Sequence, residues 1–295
     1  MLGVLGDLLE DHVVWLREPL RAASDTEVTM YRVRGGSAAN VAAFAGERHP
    51  TRFIGCVGAD PEGDRLVAEL VSHGVDVRVQ RAGRTGSVVV LIDPSGERTM
   101  LPYRGAATLL EPVAPEWTDG LAHLHVPAYA FAGEPAGTAA ADALRRTAAR
   151  GGTVSVDASS TGMLRAYGEL RFLRLLGTLA PHVLFANRAE AEALTRGGGG
   201  TDPEGADLRV LAGRLPGTTV IVKDGARPTT VLAPGHPPLR IAVPPVDGVR
   251  DLTGAGDAFA AGYLTACLTG AGIRAACAAG HATAARVLRT PGASA

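Results

Sequence analysis

The feature that most constrains this chain is an alternation. Short β-branched runs take turns with longer Ala/Leu/Arg-rich stretches of helical period. Candidate strands are Val4-Leu5, Arg52–Val57, Leu121–Val126, Thr153–Asp157, Val183–Asn187 and Thr219–Lys223. Candidate helices are Ser37–Glu47, Asp60–His73, Ala136–Arg150, Arg188–Thr195, Gly205–Arg214, Ala255–Leu268 and Gly272–Leu288. Strand–helix repetition implies a mostly parallel sheet covered by helices on both faces. In such sheets ligands bind beyond the carboxyl ends of the strands. The 295 residues suffice for one large α/β domain. Aromatic residues make up only 4%, so the core must be built from Ala, Val and Leu.

Two stretches break the rhythm, Val13–Val33 and Val77–Tyr103. The second reads as a hairpin: Ser87–Asp93, a Pro94-Ser95-Gly96 turn, then Glu97–Pro102. Either these segments form a small β-sheet flap or they are edge strands of the main sheet. The flap is the favoured reading, and assigns to it approximately residues 12–34 and 76–104. The run Gly197–Gly200 reads as a flexible surface loop.

A formal net charge of −1 argues against a general polyanion-binding surface, so no nucleic-acid partner is expected. No stretch approaches 18 consecutive apolar residues, and the N-terminus lacks a basic, then apolar, leader. The expectation is a cytoplasmic protein with no membrane partner. Cys56, Cys267 and Cys277 lack metal-type spacing and read as buried free thiols.

Three motifs carry chemistry. In Asp251-Leu252-Thr253-Gly254-Ala255-Gly256-Asp257, two glycines flank a small residue just before an Ala-rich helix. Glycine lets backbone amides approach a ligand, and the helix start favours negative charge. Asp257 in that turn is either a base beside a phosphoryl site or a simple helix cap. In Arg34-Gly35-Gly36-Ser37-Ala38-Ala39-Asn40, paired glycines precede a helix bearing Asn40 on its first turn. This is either a polyol-binding surface or a tight turn with a Ser37 cap. Asp7, after Gly6 at the end of the first strand, is either a hydroxyl-binding carboxylate in the ligand crevice or a turn residue.

In this order and spacing the motifs resemble the ribokinase-like, or PfkB, carbohydrate kinase family. Asp251–Asp257 resembles its C-terminal Asp-Thr-x-Gly-Ala-Gly-Asp signature, with Leu252 departing from the common Thr. Gly35–Asn40 resembles the N-terminal Gly-Gly-x-x-x-Asn signature. Gly55–Gly63, Thr85-Gly86 through Thr99, Asn187–Glu190 and Val222–Gly225 are similar to further landmarks.

The resemblance spans residues 1–295 as a single domain. It implies a Rossmann-like sheet sandwiched by helices, with a small β-sheet lid. It implies an ATP- and Mg²⁺-dependent kinase phosphorylating a hydroxyl, a primary alcohol, of a sugar or sugar derivative. Asp257 would be the general base and the amides of Gly254, Ala255 and Gly256 the anion hole. Asp7, Gly35, Gly36 and Asn40 would bind the sugar. Asn187 and Glu190 would position Mg²⁺ through water. Lys223, Asp224 and Gly225 would lie near the nucleotide. His281 stands where relatives place an Asn near adenine, and is either a stacking residue or a surface histidine. Asp251, Thr253 and Gly292 fall near the monovalent-cation loop, which would make K⁺ an activator.

Relatives carry Asp-x-Asn-x-Arg after the strand that ends here at Asp157; Ala158, Ser159, Ser160 and Thr161 follow instead. Arg104 follows the second lid strand, as a contact to an acidic or phosphorylated substrate or as a solvated side chain. Tyr129 is placed to stack on a sugar or a base. Two other functions are a nucleoside kinase of the same family and a non-catalytic sugar-binding regulator. A homodimer through the lid is also implied.

Overall fold

A computed structural model describes residues 1–196 and 208–289. Its strands are β1 (Leu2–Leu5), β2 (Leu9–Leu16), β3 (Val28–Gly35), β4 (Thr51–Val57), β5 (Val75–Arg81), β6 (Gly86–Ile92), β7 (Arg98–Tyr103), β8 (His123–Pro127), β9 (Thr153–Asp157), β10 (Val183–Asn187), β11 (Thr219–Asp224), β12 (Arg227–Leu232) and β13 (Leu239–Ile241). The α-helices are α1 (Ser37–Gly46), α2 (Pro61–Ser72), α3 (Ala136–Ala149), α4 (Thr161–Tyr167), α5 (Glu169–Leu179), α6 (Arg188–Arg196), α7 (Leu208–Arg214), α8 (Ala255–Leu268) and α9 (Ile273–Val287). The Gly197–Gly200 run and Gly292 lie outside the described residues.

The large sheet runs β13-β12-β11-β10-β9-β8-β1-β4-β5. It is parallel from β11 to β5, and β12 and β13 close one edge antiparallel. The chain winds outward from β1 to β4 and β5, then returns to β8 and proceeds the other way. The crevice between β1 and β8 is therefore a topological switch point, where open α/β sheets bind ligands.

Burial follows the low aromatic content. One face of the sheet packs Ala38–Ala45 of α1, Leu66 and Leu70 of α2, and the small residues of α8 and α9. The other packs Ala139, Ala140 and Leu144 of α3 with the apolar faces of α4 to α7. Local signals explain where helices start. Asp60 accepts the Gly63 amide, Pro61 opens α2, and Glu62 and Asp64 occupy its first turn. Gly168, at φ 90°, separates α4 from α5.

A second sheet, ordered β3-β2-β6-β7, stands apart from the first. β2 pairs antiparallel with β3 and parallel with β6, and β6 and β7 form the hairpin. The expected flap is thus a separate sheet, with one correction to its extent. Residues 75–81 are the edge strand of the large sheet, paired with β4 from Thr51–Val75 to Val57–Arg81. Their alternating Val-Asp-Val-Arg-Val pattern fits an edge strand with one covered face. The cysteines need a correction too: Cys56 and Cys277 are buried, while Cys267 is exposed.

Candidate active site

Three segments meet at the switch point. β1 ends in Gly6-Asp7, β3 runs into Gly35-Gly36 and α1, and α8 begins at Gly254. Gly36 adopts φ 95°, and a Cβ there would overlap the Asp7 carbonyl oxygen. That carbonyl accepts the Ala39 amide at 3.2 Å. Only glycine lets α1 start this close to the end of β1.

Gly254 caps α8 in the left-handed region at φ 76°. Ala255 turns its amide weakly toward the Leu252 carbonyl at 3.3 Å, and the Gly254 carbonyl accepts from Ala258 at 2.8 Å. Among the described residues, the amides of Gly256 and Asp257 have no hydrogen-bonded acceptor. Unpaired first-turn amides at a helix N-terminus form an anion site.

Asp257 is the third residue of α8 and does not cap it. One carboxylate oxygen accepts the Ser37 hydroxyl at 2.6 Å and the other accepts Asn40 Nδ2 at 2.9 Å. Ser37 therefore serves Asp257 rather than capping α1, whose N-cap is Gly36. Asn40 in turn accepts from Arg34 at 2.6 Å through its Oδ1. Burial pushes the Asp257 carboxyl up to about 6; the Ser37 and Asn40 hydrogen bonds oppose the rise, and nearby Asp157 adds to it.

On one side of Asp257, Arg104 grips Asp7 with two parallel hydrogen bonds of 2.7 and 2.8 Å. Both are largely buried, so Arg104 is not the solvated side chain that the sequence allowed, and Asp7 is not a free carboxylate. Asp11, on β2, lies nearby with one buried oxygen that has no hydrogen-bond partner. Its carboxyl is raised to about 7 by burial, against the pull of Arg34 and with repulsion from Asp257. Sequence reading passed over Asp11 because nothing local marks it.

On the other side, Lys223 reaches across from β11 to Asp157 at the end of β9, 3.0 Å away. Lys223 also underlies the glycine loop: a Cβ on Gly256 would come within 3.2 Å of its Nζ. Asn187 and Glu190 form a capping box at the start of α6. Glu190 accepts the Asn187 amide and Nδ2, each at 2.7 Å, and Asn187 Oδ1 accepts the Glu190 amide at 2.9 Å. Burial raises the Glu190 carboxyl to about 7, and Asp157 adds to this while Lys223 opposes it. Tyr129 faces the same cluster. Burial raises its phenol despite a hydrogen bond to Ser160, and Asp257, Glu190 and Asp157 add to the rise. Asp157 was visible only as a strand end. Its partner is 66 residues away, beyond any motif spacing.

Other expected positions sit apart from this cluster. Asp224 ends β11, half-buried and paired to Arg227 at 2.8 and 2.9 Å, and Gly225 lies in the exposed turn that follows. His281 is neither a surface residue nor open for stacking on a base. It is buried against Phe259, with ring centroids 5.2 Å apart, and its Nε2 meets Thr229 Oγ1 at 2.9 Å. It ties α9 to β12.

Asp251 accepts the Thr253 amide at 2.7 Å and is paired with Arg98, whose other terminal nitrogen donates to Thr253 Oγ1 at 2.8 Å. Arg98 belongs to β7. Register places it on the same face of the small sheet as Asp11, since Asp11 pairs Val88 and Ile92 pairs Arg98. That face looks onto the large sheet's crevice. The opposite face leaves Val28, Met30, Leu101 and Tyr103 exposed.

Comparison with known proteins shows the family. The model of the pfkB family of carbohydrate kinases matches residues 9–295. An ATP-dependent ribose-1-phosphate kinase of Halopiger xanaduensis is 35% identical over 277 residues, 88% of this chain and 83% of that one. A fructokinase of Klebsiella pneumoniae is 34% identical over 278 residues, 89% and 83% respectively. The solved adenosine kinase of Sinorhizobium meliloti superposes with a TM-score of 0.86 over 100% of this chain and 95% of that one; at 22% identity this speaks to fold alone. The chain belongs to the pfkB family of carbohydrate kinases.

Proposed function

We propose that this kinase transfers the γ-phosphoryl group of ATP to a primary hydroxyl of a neutral sugar, with Asp257 as the general base. The observation that carries this reading is the setting of the Asp257 carboxylate. Ser37 and Asn40 hold it by one hydrogen bond per oxygen, beside the Gly256 and Asp257 amides, which have no acceptor among the described residues. Each oxygen keeps a lone pair for an acceptor hydroxyl. With the carboxyl near 6, Asp257 is mostly ionised at neutral pH yet remains a competent base. The acceptor oxygen loses its proton to Asp257 as it bonds to phosphorus. ADP departs on the far side, and the transferred group's charge rests on the amides of Gly254, Ala255 and Gly256.

Asp7 with Arg104, Asp11, Gly35, Gly36 and Asn40 line the acceptor side. Lys223, Asp157, Asn187 and Glu190 line the phosphate side. Lys223 is the cation that Asp157, Glu190 and Asp257 share, so a Mg²⁺ ion carried by ATP fits this excess of carboxylate. Glu190 and Asn187 already satisfy one another, so they would hold the ion through its water shell. The ion would offset phosphate charge. The small sheet acts as a lid that keeps water from competing as acceptor.

A neutral acceptor is favoured because Arg104 already pairs its Nε and one terminal nitrogen with the two oxygens of Asp7, so its charge is balanced by that carboxylate. ADP release with ribose, fructose, adenosine and ribose-1-phosphate as acceptors tests this. Turnover of a free sugar is expected to exceed that of the phosphorylated one. A clear preference for ribose-1-phosphate would overturn the neutral-acceptor reading, and no turnover with any sugar or nucleoside would overturn the proposed acceptor class.

A further inference from the structure

The loop before the glycines contains Asp251 and Thr253, two residues expected at a potassium site. Both are held by one guanidinium. Arg98 donates through one terminal nitrogen to the Asp251 carboxylate and through the other to Thr253 Oγ1, at 2.8 Å for the latter. The Thr253 amide closes the triangle on Asp251 at 2.7 Å. Asp251 is buried and Arg98 is mostly so. An arginine fork is a fixed, always-charged donor pair that neutralises a carboxylate and ties it to a neighbour, which is what a bound monovalent cation would do there. A second cation at the same carboxylate would face the guanidinium's charge at close range.

Arg98 is delivered by a rigid element. It opens β7 directly after a turn in which Asp93 Oδ1 accepts the Ser95 amide at 2.8 Å, the Ser95 hydroxyl at 2.6 Å and the Glu97 amide at 2.9 Å. The loop it meets is anchored from behind, where Arg250 donates its amide to the Leu288 carbonyl at 2.8 Å. The contact therefore joins the tip of the small sheet to the segment that leads into Gly254.

We propose that Arg98 stands in for the monovalent cation. It neutralises Asp251 and orders the anion-hole loop as the small sheet closes, so this kinase needs no potassium. Arg98 is a positioning residue, acting on the phosphoryl group only through the loop. The inference rests on the kinase reading for its rate arm, and a stability arm keeps it separable.

At matched ionic strength, the wild-type rate is expected to be the same in potassium, sodium and choline chloride, and its melting temperature likewise. Arg98→Ala is expected to lower kcat in choline roughly 10- to 100-fold. Potassium should then restore part of the rate and raise the melting temperature of this variant alone. A gained potassium response is something a purely structural arginine would not produce. Should the alanine variant fail to fold, Arg98→Met keeps the aliphatic stem and repeats the test without the charge. Potassium stimulation of the wild type, in rate or in melting temperature, overturns the proposal. So does a charge-free variant that matches the wild type, or one that loses rate and regains none of it with potassium. If no acceptor is phosphorylated at all, the function proposed above fails, and the melting-temperature arm alone decides the role of Arg98.

Discussion

The two sides of Asp257 solve the same problem differently. On the side proposed for the acceptor, Arg104 balances Asp7 oxygen for oxygen, and Arg34 faces Glu69, Asp11 and Asp257, which leaves Asp11 as the one carboxylate there with an oxygen that has no partner among the described residues. On the phosphate side, one lysine is spread over three carboxylates, and two of them are driven well above their ordinary range. A balanced surface suits a ligand that brings hydroxyls and no charge. An unbalanced one is completed when a cation arrives with its nucleotide. On the proposed assignment, the acceptor site is close to finished before binding, Asp11 excepted, whereas the nucleotide site is not.

The strongest way to break this picture is at the boundary between the two sides. Asp257→Asn keeps the shape and removes the base, so kcat should fall about 10²- to 10⁴-fold, with ATP affinity by calorimetry unchanged. A rate close to wild type would move the base elsewhere.

The contrast itself is sharpened by removing one cation from each side. Lys223→Met strands Asp157 beside Glu190, and should lower unfolding free energy by about 3–5 kcal/mol in urea titrations. Arg104→Ala strands the single buried carboxylate of Asp7 and should cost about 2 kcal/mol. Mg²⁺-nucleotide should return part of the first loss and little of the second. Equal recovery in both variants would erase the distinction.

The smallest effect is a pH shift. As the proposed base Asp257 must be ionised, so kcat/KM should decline as pH falls through about 6. The Ser37 hydrogen bond favours the ionised form, so Ser37→Ala should move this acid limb upward, by roughly half a pH unit. A limb that stays put or moves down would show that another group sets it.

Much of this architecture was legible in the chain itself, and the exceptions share a cause. Alternating strand and helix patterns foretold the large sheet, and the Ser87–Pro102 hairpin foretold part of the small one. β5 was misassigned because an edge strand and a lid strand carry the same alternating pattern. The pattern does not mark α4 and α5, because Gly168 breaks their joint period. At the site, the glycine loop and Asp257 announced themselves through spacing. Asp11, Asp157 and Arg98 did not, because their meaning lies in partners brought together only by the fold. Arg98 and Asp251 are 153 residues apart, and Arg104 and Asp7 are 97. His281 was placed on the right helix but on the wrong reading of its surroundings. Position along a helix says nothing about what packs against it.

The chain path between the two sheets has a mechanical implication. β2 starts two residues after Asp7, and β3 flows into Gly35, Gly36 and α1 without a linker. If the small sheet acts as the proposed lid, it would swing on the same residues proposed to hold the acceptor. On that reading, a sugar settling against Asp7 and Asn40 would also stiffen the hinge, so occupancy and enclosure would become a single event. An empty acceptor site would leave the cover loosely held, and bound ATP would then be the part exposed to stray water.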